Sequence, residues 1–166
     1  MCIRDRLVAG LYVGLLNRDA EYSGWLFQRN ALATGVVGQV AVVTNFIGSD
    51  EWKLKFGSPN DADYVKLLYR YVLLREASPN EVMGQVNAIN AGIVNRTTMA
   101  NAFLNSGEFR NGTGPRLISF LLYATLLQRE ASADEKNALA AQVPITPLLT
   151  LINNFLNSPA FTAVLN

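Results

Sequence analysis

The feature that most constrains this chain is that it matches itself three times. Leu11-Tyr12 returns as Leu68-Tyr69 and as Leu122-Tyr123, at offsets of 57 and then 54 residues. Six residues after each tyrosine stands an arginine (Arg18, Arg75, Arg129), followed by an acid (Asp19, Glu76, Glu130) and an alanine. Further on, Phe46-Ile47-x-Ser49 matches Phe103-Leu104-x-Ser106 and Phe155-Leu156-x-Ser158. Three residues beyond each serine is an aromatic: Trp52, Phe109 or Phe161. Self-similarity at such a period is the signature of tandem structural units. It predicts three repeats of roughly 55 residues, each of three to four short helices: 7–58, 59–114 and 115–166.

The spacing within a repeat is helical. Val65, Leu68, Tyr69 and Val72 form one apolar stripe, as do Val8, Leu11, Tyr12 and Leu15, while the third copy has Ser119 in the first place. Ser78-Pro79-Asn80-Glu81 and Ser132-Ala133-Asp134-Glu135 are capping boxes that open a second helix, and Gly35 and Gly92 suit its end. Asn95 and Thr146-Pro147 predict caps for a third helix; Ser49, Ser106 and Ser158-Pro159 predict caps for a fourth. No strand-like alternation is sustained, so the fold class is all-α.

Half of the residues are hydrophobic and 16% are charged, enough for a buried core. Fourteen basic residues against thirteen acidic ones provide no field for nucleic acid. Histidine is absent and Cys2 is the only cysteine, which removes His-based catalysis, thiol–His pairs and the usual zinc ligands. Leu7 to Leu16 resembles a short signal peptide but lacks a small-residue cleavage site, and the apolar run Leu117 to Leu127 is too short to span a bilayer. Both read as core helices. No cofactor, metal or membrane span is expected.

Met1 to Arg6 resembles translated adapter sequence from environmental assemblies. It is set aside as a non-native leader expected to make few contacts.

Taken together the landmarks resemble the bacterial domain of unknown function 4214, with a distant likeness to phycobilisome linker polypeptides. The second copy carries the best match: Leu68-Tyr69, Arg75-Glu76, Ser78, Glu81 and Phe103 to Phe109. The family's glycine before the arginine is replaced by Asn17, Leu74 and Gln128, and the third copy has Ala160 in place of the glutamate found at Glu51 and Glu108. That copy therefore reads as a degenerate or capping unit. The resemblance implies a non-catalytic interaction or spacer module, a fragment of a larger secreted or surface-associated bacterial protein. Its partner would be a protein or neighbouring domains of the same polypeptide. A phycobilisome-linker role is the alternative, which the neutral charge disfavours, and an enzyme using carboxylates alone is a weaker third.

The signature residues are Tyr12, Arg18, Phe46, Ser49 and Glu51; Tyr69, Arg75, Phe103, Ser106 and Glu108; and Tyr123, Arg129, Phe155 and Ser158. The aromatics are expected in the core, stacked units are expected to present a long continuous surface, and two of Tyr22, Trp25 and Phe27 are expected to be buried. Asn60-Asp61-Ala62-Asp63 reads as the acidic start of a helix rather than a calcium loop. The 33-residue spacing predicts pairing of Arg18 with Glu51 and Arg75 with Glu108. Local pairing to Glu81 or Glu135 is the rival, and Arg129 lacks a distal partner.

Overall fold

A computed structural model describes residues 3–165. Among these residues there are helices and no strand. In chain order the helices are α1 (Ile3–Leu16), α2 (Tyr22–Ala33), α3 (Gln39–Gly48) and α4 (Asp50–Phe56). Next come α5 (Asp61–Leu67, running into a π-helical turn Leu68–Val72), α6 (Pro79–Asn90), α7 (Arg96–Leu104) and α8 (Gly107–Gly112). The last four are α9 (Gly114–Leu122, with a π-helical turn Tyr123–Leu127), α10 (Ala133–Gln142), α11 (Leu148–Leu156) and α12 (Pro159–Leu165). Among the described residues no single helix is long and apolar enough to cross a membrane.

The caps explain most of the boundaries. Ser49, Ser106 and Ser158 accept the backbone N–H of Trp52, Phe109 and Phe161 at 3.1, 3.0 and 3.2 Å. Ser78 and Ser132 close complete capping boxes with Glu81 and Glu135, Asn95 closes one with Thr98, and Asn60 accepts from the N–H of Asp63. Asp61 and Asp63 lie in the first turn of α5, paired with Arg96 and Lys66. Gly35 and Gly92 follow the ends of α2 and α6 at φ of 73° and 69°. Thr146 corrects the expectation: α11 begins at Leu148, Pro147 is its N-cap, and no side chain caps it. A proline has no side-chain acceptor for the first-turn amides, so here only its backbone carbonyl serves, accepting the N–H of Leu151 at 3.1 Å.

Leu7 to Leu16 are all buried, as a helix apolar on every side must be. α1 packs against α2, α3 and α4, against the π turn of α5 and α7, and also against α9. The arrangement is therefore not a linear stack in which each unit meets only its sequence neighbour, as the repeat alone suggests; α1 is a shared axis. Gly10 and Gly14 allow this close approach. A Cβ on Gly10 would lie 2.8 Å from Phe109 Cζ, and one on Gly14 3.2 Å from Val72 Cγ2 and 3.3 Å from Leu104 Cδ2. Polar ties also join 115–166 to the first helices. Asp19 pairs with Arg116 at 3.0 Å and Lys136 at 3.3 Å, and Glu130 accepts the N–H of Tyr22 at 2.7 Å.

One core runs from Leu7 through Phe109 and takes in Leu117, Phe120, Leu121 and Ala124 of α9. A smaller one, Leu122 with Leu139 and Leu151, lies on the other side of α9. Tyr12, Phe46, Trp52, Tyr69, Phe103 and Phe109 are buried, but Tyr123, Phe155 and Phe161 are only half-buried. The expectation of a fully buried third set is corrected: this smaller core has fewer neighbours to cover it. Of the other aromatics, Trp25 is buried, Tyr22 half-buried and Phe27 exposed, one fewer buried than expected.

The leader expectation is corrected as well. Met1 and Cys2 lie outside the described residues, but Asp5 is buried in the first turns of α1. Its carboxylate pairs with Arg29 at 2.8 Å, and its carbonyl accepts Trp25 Nε1–H at 3.1 Å.

Asn17, Leu74 and Gln128, each just before an arginine, are the described non-glycine residues with left-handed backbone, at φ of 48°, 57° and 53°. A leucine there strains against its own Cβ by roughly 1–2 kcal/mol, partly offset by the greater unfolded-state freedom of glycine. Leu74 is largely exposed, so little burial is lost on replacing it. Leu74→Gly is expected to stabilise the protein by about 0.5–1 kcal/mol, read as a higher urea midpoint. A lower midpoint would contradict the left-handed assignment.

Candidate functional site

The signature residues converge on one arrangement that occurs three times. It begins with how the first helix of each unit stops. The N–H of Arg18 reaches back to the carbonyl of Tyr12 at 3.2 Å, Arg75 to Tyr69 at 3.2 Å and Arg129 to Tyr123 at 3.5 Å, each six residues earlier. This wide turn, made possible by the left-handed residue before it, folds the arginine over its own helix end. The guanidinium then lies 4.9, 4.7 and 5.1 Å from the centroids of the Tyr12, Tyr69 and Tyr123 rings, within cation–π range.

Each tyrosine meets the phenylalanine of the third helix edge-to-face. Tyr12–Phe46, Tyr69–Phe103 and Tyr123–Phe155 have centroid separations of 4.9, 5.0 and 4.9 Å and interplanar angles of 90°, 83° and 88°. Three residues later the serine caps the fourth helix, which places a glutamate in its first turn where the helix dipole favours negative charge. In the first unit Arg18 grips Glu51 with two hydrogen bonds, at 2.5 and 2.9 Å, and also Glu21 at 2.8 Å. In the second, Arg75 holds Glu108 through Nε at 2.5 Å and Glu81 through both terminal nitrogens at 2.7 and 3.0 Å. In the third, Ala160 stands where the distal glutamate would be, and Arg129 holds only Glu135 among the carboxylates of the described residues, at 2.6 and 2.8 Å. The distal and local pairings are thus not rivals; one planar fork serves both. Each arginine also donates to the carbonyl of the residue that follows it.

The electrostatics follow from these contacts. Arg75 and the Ser78 N–H hold Glu81 down to about 2, and Arg129 holds Glu135 down to about 2. Arg18 likewise lowers Glu51 and Glu21. The carboxylates in turn push Arg18, Arg75 and Arg129 upward. Burial raises Tyr12, Tyr69 and Tyr123. All these shifts lead away from neutrality, whereas a general acid or base works best with a pKa near the operating pH. Chemically, the cluster is a clamp: around Arg18 and Arg75 it joins the ends of four helices, and around Arg129, which has no acid on α12 to hold, it joins three.

Outside the clamps, a groove of about 360 Å³ is lined by Asp19, Arg116, Ser119 and Lys136, with Asp19 bonded to both cations. Asp50 is exposed and approaches Lys53 at 3.7 Å. Among the described residues no three acidic or cysteine side chains converge as a metal site.

Two participants escaped sequence reasoning. Glu21 does in the first unit what the capping-box glutamates do in the others, without a capping box to reveal it. Gly24 leaves room for the Tyr12 hydroxyl, which would lie 2.7 Å from a Cβ there. The segment Glu21-Tyr22-Ser23-Gly24-Trp25, where the first copy departs from the box, was the only signal.

Residues 43–113, from within α3 to just past α8, match the family model described as Domain of unknown function (DUF4214). No curated protein and no solved structure matches the chain.

Proposed function

We propose that the chain is a non-catalytic interaction or spacer module built of three like units, each closed by one Arg–Tyr–Phe clamp. It serves within a larger secreted or surface-associated bacterial protein, and its partner is a protein or a neighbouring domain of the same polypeptide. The observation that carries this reading is the state of the signature carboxylates. Glu51, Glu81, Glu108 and Glu135 are bonded to arginines, and those with shifted titration are held ionised. A carboxylate with both oxygens on a guanidinium is a poor proton donor and a hindered nucleophile. It is well suited to holding helix ends.

The purified protein is expected to turn over no common glycoside, peptide or ester substrate above the buffer rate. Activity abolished by Glu51→Gln or Glu108→Gln, with circular dichroism unchanged, would overturn the non-catalytic reading.

A further inference from the structure

Residues 7–58 and 59–114 meet through equivalent elements: α1 against the π turn of α5, and α3 against α7. Their polar contacts are reciprocal. The Gln39 amide donates to Asn101 at 2.7 Å, and the Thr44 hydroxyl to Thr97 at 3.3 Å. By the 57-residue offset Asn101 is the counterpart of Thr44, and Thr97 that of Val40. So 39–40 of one unit faces 44 of the other in both directions, as in a two-fold, self-complementary interface.

The third unit has the same face. On the 52-residue offset between Phe103 and Phe155, the counterparts of Arg96, Thr97, Ala100, Asn101 and Leu104 are Leu148, Leu149, Ile152, Asn153 and Leu156. Where Val43 and Ala100 are 0% exposed, Ile152 is only half-buried, and Leu148, Leu149 and Leu156 are 40%, 69% and 40% exposed. The face is more apolar than its counterparts and carries the same central amide. No residue from 137 to 166 is charged, so nothing opposes two copies by like-charge repulsion. The same lack of lysine and arginine disfavours a lipid surface, where interfacial helices carry basic residues.

We propose that this α11 face is an interface for a second copy of the chain, joining two molecules α11 to α11′ in the way that α3 meets α7. The inference rests on the three-unit reading. In the dimer Leu149 of each copy faces Asn153 of the other, as Thr97 faces Thr44 within the chain. Self-association closes after two copies, because each has one open face of this kind among its described residues.

Sedimentation equilibrium of the full chain tests this. The mass is expected to rise from 18.2 kDa towards twice that value as concentration passes through the micromolar range. Leu149→Glu should hold it at the monomer mass with unchanged helicity, and should melt with the parent when both are measured at concentrations where the parent is monomeric. Leu149→Glu/Asn153→Arg should restore the dimer, since each glutamate then faces the partner's arginine. Leu54→Glu, at an exposed site of the first unit, should leave the dimer intact. A monomer at every concentration up to roughly 0.2 mM, a dimer indifferent to Leu149→Glu, or a monomer that co-sediments with phosphatidylcholine vesicles would overturn the inference. None of these results bears on the clamps, whose failure would appear in monomer stability instead.

Discussion

Gly10→Leu is expected to destabilise the protein by about 4 kcal/mol or more, a large fraction of the roughly 5–15 kcal/mol that holds a domain folded. The reason is the position of α1. It is covered by α2, α3 and α4, by the π turn of α5 and α7, and by α9, and its Gly10 faces the Phe109 ring so closely that a first carbon would already lie 2.8 Å from it. Phe109 is 1% exposed and cannot swing into solvent. Overpacking of a dense core costs roughly 1–3 kcal/mol for a few added methylenes and more where neighbours cannot yield. Gly10→Ala should be far milder, because the helix propensity gained, about 1 kcal/mol, opposes the smaller clash. Chemical denaturation of the parent beside Gly10→Ala and Gly10→Leu checks this. A Gly10→Leu protein as stable as the parent would mean that α1 and α8 do not touch.

Deleting residues 1–6 is expected to cost about 2–4 kcal/mol, or roughly 5–15 °C in melting temperature at this chain length. The loss removes the carbonyl that accepts the Trp25 indole N–H and the carboxylate held by Arg29. The buried indole donor left without its acceptor accounts for most of it, at about 1–3 kcal/mol. The ion pair contributes less, because Arg29 is more than a third exposed. Asp5→Asn retains the carbonyl and should therefore lose only the smaller share. A truncated protein that melts with the parent would instead show that the hexapeptide stands apart from the fold, as its resemblance to adapter sequence implies.

The local structure was legible where a residue type has one physical use. A serine followed by proline, or by glutamate three residues on, can be read as a helix start because its oxygen serves an amide that has no other partner. The pairing of Arg18 with Glu51 was legible because two landmarks already placed on one core edge brought the charges along. The left-handed turns were hidden by Leu74 and Gln128, residue types that do not signal a positive φ, whereas Asn17 is a type that tolerates it. The role of α1 was hidden for a different reason. An evenly apolar helix has no preferred face in sequence, and only its contacts decide whether it lies at the end of a stack or at the centre. Gly10 and Gly14 are weak helix formers whose purpose is set by Phe109, Val72 and Leu104, between 58 and 99 residues away. No pattern within a single repeat contains that information.

The equivalence of the three clamps is the centre of the account, and the third unit offers its own test. Among the described residues Arg129 meets no carboxylate from α12, where Ala160 occupies the place of Glu51 and Glu108. Ala160→Glu should supply the missing partner to Nε of Arg129. A double-mutant cycle of Ala160→Glu with Arg129→Met separates that pairing from the general benefit of an acid at a helix N-terminus. The coupling energy is expected to be favourable by about 0.5–1 kcal/mol, the range of a well-aligned pair with solvent access. A coupling of zero, with Ala160→Glu equally effective in both backgrounds, would contradict the equivalence of the third unit with the other two.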